Sequence, residues 1–231
     1  MVFLKNVNIN SCMNHSIEFA ITSYCQAKCR ACPRTDTNTG DKVNWLNTQH
    51  MDINVFQNNI KSFNEIKLKD INFCGELGDP MMHPDIDTFI YSSLEYAERV
   101  TISTNAGLRQ PVWYENSAKK YKDKLSIKFA VDGSDHETNW HYREGVNFER
   151  AIDNMTAYFT NGGIGKWKFL IFDWNYHQVI DAYNLANKIG CEIEYAFNIR
   201  PFINTSGLQG RISQQNIKYT KELLKEINYE I

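Results

Sequence analysis

The sequence predicts an α/β fold, a partial (β/α)6 TIM barrel with six parallel strands and outer helices. Three observations predict it. Strand-like and helix-like runs alternate six times along the chain, which argues a parallel sheet with right-handed crossovers. The strand-like runs are apolar on one face and polar or small on the other. The polar motifs fall where those runs end. A doubly wound sheet would be apolar on both faces. A closed eight-strand barrel would fill its lumen with bulky aliphatics. An open six-strand barrel with a polar, ligand-holding lumen satisfies all three.

The elements follow in order. In "SIEFAIT", Ile17, Phe19 and Ile21 share one face while Glu18, Ala20 and Thr22 share the other. A helical run spans about Thr48–Phe63, before the strand-like "IKLKDINFCG". A second helix is expected over Asp85–Ala97. "RVTISTNAG" then sets Thr101, Ser103 and Asn105 opposite Ile102. After a helix at Pro111–Tyr121, "LSIKFAVD" alternates Leu125, Ile127, Phe129 and Val131 against Ser126, Lys128, Ala130 and Asp132. A helix over Phe148–Thr160 leads to "KWKFLIFDW". One over Tyr176–Lys188 leads to "CEIEYAFNIR", where Ile193, Tyr195, Phe197 and Ile199 oppose Glu192, Glu194, Ala196, Asn198 and Arg200. A last helix covers about Ser213–Ile231. Period-two alternation turns the apolar residues toward the helices and the polar ones inward. Two long polar loops remain, Arg34–Asn47 and "RPFINTSGLQGR".

The 231 residues suit a single domain over 1–231, with the barrel core at about 15–200 and a loop and helix at about 201–231. The net charge of −2 gives no bulk electrostatic case for nucleic acid or a membrane surface, so neither is expected as a partner. "MVFLKNVNINSCMNHS" lacks the basic and long apolar regions of a signal peptide. No apolar run reaches the length that spans a bilayer. The expected location is cytoplasmic, where thiols stay reduced and clustered cysteines bind metal or do chemistry.

Half of the six cysteines sit in "ITSYCQAKCRACPRT", as Cys25, Cys29 and Cys32 at spacing C-x3-C-x2-C directly after the first strand. Structural zinc closes with four ligands. Cys12 and His15 lack finger-like spacing to supply a fourth. A [4Fe–4S] cluster takes one thiolate per iron, so three cysteines leave one iron open. A zinc clip, or three unrelated thiols, are the alternatives.

Here the chain resembles the radical S-adenosylmethionine (radical SAM) superfamily, over about His15–Arg200. The C-x3-C-x2-C loop after strand 1 is that superfamily's signature. The resemblance implies that Cys25, Cys29 and Cys32 ligate a [4Fe–4S] cluster whose fourth iron is chelated by S-adenosylmethionine. Donation of one electron to the sulfonium then yields methionine and a 5′-deoxyadenosyl radical, which abstracts hydrogen from a substrate. "CRACPR" looks most like the SPASM/Twitch-type branch. After Cys74 only Cys191 remains, so no auxiliary cluster is expected.

Four further stretches carry the resemblance. "CGELGDPMMHPD" looks like the G-G-E-P loop, implying that Gly75 and Glu76 receive the ligand's amino group. In "ISTNAG", Ser103 and Asn105 would contact ribose or carboxylate. Asp132 would be a ribose contact at the end of strand 4, and Arg143 in "YREG" would pair with the ligand carboxylate. Two departures stand out. Ala31 replaces the aromatic residue that often shields adenine, which shifts that contact to Tyr24 or the ends of strands 5 and 6. Cys74 replaces the first glycine of G-G-E-P, and is at most a weak candidate for a hydrogen-atom donor.

Trp140, Trp174, Asn175, His177, Glu194, Asn198 and Arg200 describe a polar pocket with aromatic walls. It suits a polar small molecule or a peptide side chain. Glu18, Lys128 and Glu192 are expected to satisfy one another at the barrel's bottom. The implied partner is an external electron donor of flavodoxin or ferredoxin type. A glycyl-radical activase acting on a partner protein, and a non-catalytic zinc-binding module, remain the competing readings.

Overall fold

The computed structural model describes residues 15–66, 68–199 and 211–231, and the backbone alone of 202–204 and 207–209. Cys12 and Arg200 lie outside the described residues. Six strands form one sheet: β1 (Ser16–Phe19), β2 (Leu68–Phe73), β3 (Ala97–Thr104), β4 (Leu125–Ala130), β5 (Ile164–Ile171) and β6 (Glu192–Phe197). Their spatial order equals their chain order, and every neighbouring pair is parallel. Helices carry the chain back between strands: α1 (Ile53–Ile60), α2 (Ile86–Ser93), α3 (Pro111–Tyr121), α4 (His136–Tyr142), α5 (Phe148–Phe159) and α6 (Val179–Ile189). A helix α7 (Gln214–Glu226) follows.

Alternation decides which face meets the helices. Leu125, Ile127, Phe129 and Val131 of β4 and its extension are fully buried, as are Trp167, Phe169 and Ile171 of β5. They pack with Tyr114 of α3 and Met155 and Tyr158 of α5 in one apolar cluster. Burying one such side chain is worth about 1.5–3 kcal/mol, so this outer layer supplies most of the cohesion. Its polar tips are satisfied: Tyr158 donates to Leu125 O at 2.8 Å and Trp167 Nε1 to Val131 O at 2.7 Å.

The opposite face is polar, as expected, but its pairing differs from the expected trio. Glu18 accepts from Asn72 Nδ2 at 2.9 Å. Glu192 and Glu194 pair across the β5–β6 ladder with Lys166, at 3.7 and 2.8 Å, and Glu194 also with Lys168 at 3.1 Å. Parallel register sets Lys166 beside Glu192 and Lys168 beside Glu194, which brings the opposite charges together.

Several boundaries move. Helix α1 starts only after Asp52, whose carboxylate caps the Asn54 and Val55 N–H groups, because Thr22 and His50 form a β-bridge just before it. Helix α2 stops at Ser93 and Ala97 already belongs to β3. Helix α4 lies in a stretch with no helical expectation, where Asp135 caps Thr138 N. The second expected loop contains a two-stranded antiparallel hairpin, β7 (Phe202–Asn204) with β8 (Gly207–Gln209). Ile199, expected on the apolar face, is 79% exposed, because β6 ends before it. The loop at Arg34–Asn47 folds back on itself through a Thr35–Lys42 bridge and buries Leu46.

Candidate active site

The C-terminal strand ends surround a cavity of about 600 Å³. Its lining includes Cys25, Cys29 and Cys32 after β1, Cys74, Gly75 and Glu76 after β2, and Ser103 and Asn105 at the end of β3. Arg143 after α4, Leu170 of β5, and Phe197, Asn198 and Ile199 at and beyond the end of β6 complete it.

The cysteine loop is held by its own turns, with Cys32 N donating to Cys29 O and Thr35 N to Cys32 O, each at 3.0 Å. A further anchor is Lys28 N to Glu144 O at 2.8 Å. The three thiols are half-buried and none is in a disulfide. Each has a polar neighbour from another loop. Asn105 Nδ2 reaches Cys25 Sγ at 3.6 Å, Arg143 Nη1 reaches Cys29 Sγ at 3.9 Å, and Cys32 Sγ lies 3.9 Å from Glu76 O. Burial pushes the Cys29 thiol up to about 12, against the pull of the Arg143 charge. Burial and Asp79 raise Cys25 as well, while Arg34 pulls it down. Among the described residues no three His, Cys, Asp or Glu side chains converge as donors to a metal ion.

The loop after β2 needs two glycines because backbone crosses backbone there. A Cβ on Gly75 would lie 2.0 Å from Gly78 O, and one on Gly78 would lie 2.3 Å from Thr22 O. Asp79 closes this loop onto β1 and β3. Its N–H donates to Tyr24 O at 2.8 Å. Its buried carboxylate accepts from Met81 N at 3.0 Å, Thr104 Oγ1 at 2.9 Å and Asn105 N at 2.8 Å. Burial raises this carboxyl above the usual range even though those bonds oppose it. Asp79 thus places Asn105, whose side chain also exchanges hydrogen bonds with Gln26. Sequence reasoning missed Asp79 because Gly-Asp-Pro reads as a plain turn. The only signal was its position at a strand end.

Asp132, expected at the ribose, is placed outside the cavity lining. It is fully buried. Its Oδ2 accepts from Arg143 Nε at 2.6 Å and its Oδ1 from Leu170 N at 2.7 Å. The carboxylate holds the arginine in place. Gly75, Glu76, Ser103, Asn105 and Arg143 do line the cavity.

The expected substrate residues scatter. Asn198 lines the cavity. Asn175 is fully buried and ties strand ends together, donating to Asp132 O at 3.0 Å and Leu170 O at 2.8 Å. Glu194 is engaged by Lys166 and Lys168. Trp174 stacks on Phe172 with ring centroids 4.3 Å apart, and Trp140 is 43% exposed beside His136. His177 is exposed. Tyr24 stacks on His50 rather than lining the cavity. Cys74 lines the cavity half-buried, its thiol pushed up to about 11 by burial and by Glu18.

No family model matches the chain, and no curated protein does. Solved structures do. Streptococcus suis SuiB bound to S-adenosylmethionine matches with a TM-score of 0.68 at 16% identity, over 92% of this chain and 48% of that one. Native anSMEcpe with bound AdoMet matches at 0.71 and 11% identity, over 92% of this chain and 60% of that one. Methylornithine synthase (PylB) matches at 0.60 and 12% identity, over 87% and 59%. These proteins are radical SAM enzymes. This chain shares their fold. This chain spans about half the length of SuiB. Within this shared fold, the cavity occupies the carboxyl ends of the strands, where barrels of this kind place their chemistry. Among the described residues no helix is long and apolar enough to cross a membrane.

Proposed function

We propose that the chain is a radical SAM enzyme that holds one [4Fe–4S] cluster on Cys25, Cys29 and Cys32 and binds S-adenosylmethionine in the cavity beside it. One observation carries the reading: three thiols free of disulfides line the same cavity as Glu76, Asn105 and Arg143, at the strand ends of this fold. The donor set suits a cluster. A single metal ion needs its donors converging on one point. A cluster takes one thiolate per iron, so its cysteines spread around a cavity. When bound, the cluster supplies one electron to the sulfonium, which parts into methionine and a 5′-deoxyadenosyl radical.

The chain's own residues bind and orient. Glu76 accepts hydrogen bonds from the ligand's amino group. Arg143, held by Asp132, keeps its remaining N–H groups for the carboxylate. Asn105, held by Asp79, and Ser103 take the ribose or carboxylate side. Phe197, Ile199 and Leu170 provide apolar cover where Ala31 offers none. The substrate we favour is a peptide side chain or a polar small molecule. SuiB bound to the precursor peptide SuiA, and anSMEcpe with AdoMet and a Kp18Cys peptide, support the peptide class. The electron donor would be of flavodoxin or ferredoxin type, and the setting the cytoplasm.

Anaerobic reconstitution followed by iron and sulfide analysis tests the cluster. About four of each per chain is expected. A colourless protein that loads one zinc would overturn the reading. Release of a radical only onto a partner protein would favour the activase instead.

A further inference from the structure

We propose that Arg34 is an oxyanion-recognition residue of the cavity, and that the ligand it receives carries a carboxylate. Arg34 follows Cys32 and Pro33, lines the cavity and is only 7% exposed. Its Nη1 is buried with no hydrogen-bond partner. Among the described residues no carboxylate forms an ion pair with it. Arg143, which also lines the cavity, is different, since Asp132 pairs with it. A buried, unpaired charge is costly unless a partner arrives. Nor is the side chain on a free loop. Arg34 O accepts from Val43 N at 2.9 Å, and Thr35 bridges Lys42, so the small hairpin fixes the point from which the guanidinium projects. A planar fork of donors held in this way matches two carboxylate oxygens.

The inference deepens the proposed function, because it rests on the cavity being where ligands bind. Two carboxylates could be the one received: the methionyl carboxylate of S-adenosylmethionine, or that of a second molecule. Anaerobic calorimetry on reconstituted wild type, Arg34→Gln and Arg34→Lys separates them. The probes are S-adenosylmethionine, its decarboxylated analogue, and succinate added to S-adenosylmethionine-saturated protein.

For the first source, Arg34→Gln weakens S-adenosylmethionine binding roughly ten- to a hundredfold and leaves the decarboxylated analogue unaffected. For the second, Arg34→Gln loses succinate and keeps S-adenosylmethionine. Arg34→Lys recovers only part of either loss, because a point charge lacks the fork. If Arg34→Gln does not fold, the loss in Arg34→Lys decides. Equal affinities in wild type and variants for all three probes would overturn the proposal. So would equal losses for S-adenosylmethionine and its decarboxylated analogue, or a change confined to the cluster's midpoint potential, which would make Arg34 a counter-ion of the cluster. Should the wild type load no cluster or bind no S-adenosylmethionine, the proposed function fails by itself. Arg34 is then judged on the cluster-free chain, by whether succinate raises the melting temperature of wild type and not of Arg34→Gln.

Discussion

Arg143 donates from Nε to Asp132 Oδ2 at 2.6 Å, and the carboxylate is fully buried. The pair lies behind Cys29, which Arg143 Nη1 approaches at 3.9 Å. Asp132 also accepts from Leu170 N, so one carboxylate locks the arginine, β4 and β5 together. Asp132→Asn leaves a buried guanidinium without its counter-charge. Removing one partner of such a pair costs about 3 kcal/mol. The urea midpoint should fall accordingly, and S-adenosylmethionine should bind more weakly because Arg143 is no longer oriented. Wild-type stability together with wild-type affinity would show that something else holds Arg143.

Asp79→Asn tests the second hub. The amide keeps one acceptor oxygen, while Met81 N, Thr104 Oγ1 and Asn105 N need the carboxylate's two. A buried donor left unsatisfied costs about 1–3 kcal/mol. Chemical denaturation should show that loss, and hydrogen exchange at the Asn105 amide should quicken. Unchanged exchange at Asn105 would remove Asp79 from its positioning role.

How far the sequence showed this site depends on the kind of signal. The cysteine spacing, the Gly75–Glu76 stretch and the alternation of β4 are local patterns, and each was legible. Asp132 and Arg143 are 11 residues apart, and their pairing depends on α4, a helix too short to read behind a Gly-Ser-Asp turn. The Lys166–Glu194 pair depends on inter-strand register, which no local pattern states. Arg34 read as the start of a polar loop, because its burial comes from the hairpin that folds back over it.

Glu76 and Cys191 form a contrast within one experiment. Glu76 lines the cavity, whereas Cys191 sits buried before β6, at the far end of that strand. Glu76→Gln removes a charged acceptor, worth about 1.5–3 kcal/mol, so S-adenosylmethionine affinity should fall roughly ten- to a hundredfold. Cys191→Ala should leave iron content and affinity unchanged. The reverse pattern would refute the assignment of both ends of the barrel.

The lumen ion pairs predict a pH dependence. Burial raises the Glu194 carboxyl, but the bonds from Lys166 and Lys168 outweigh it and hold the group below its ordinary value. A depressed carboxyl contributes stability above its unfolded value of 4.5, and that stability is lost as pH falls through the lower folded value. The pairs are partly exposed, so the contribution is about 0.5–1 kcal/mol. Wild type should therefore melt above Glu194→Gln at pH 7, with the gap closing as the pH drops below 4.5. A gap that stays constant with pH would mean that the carboxylate charge contributes nothing.

The central claim is that Cys25, Cys29 and Cys32 hold the cluster that cleaves S-adenosylmethionine in this cavity. The most direct measurement is chromatography of 5′-deoxyadenosine from reconstituted, dithionite-reduced protein given S-adenosylmethionine and no other substrate. The wild type should release it slowly, and Cys25→Ala, Cys29→Ala and Cys32→Ala should release none. No release over hours from a wild type that carries its full iron and sulfide, or release that survives loss of all three cysteines, would contradict it.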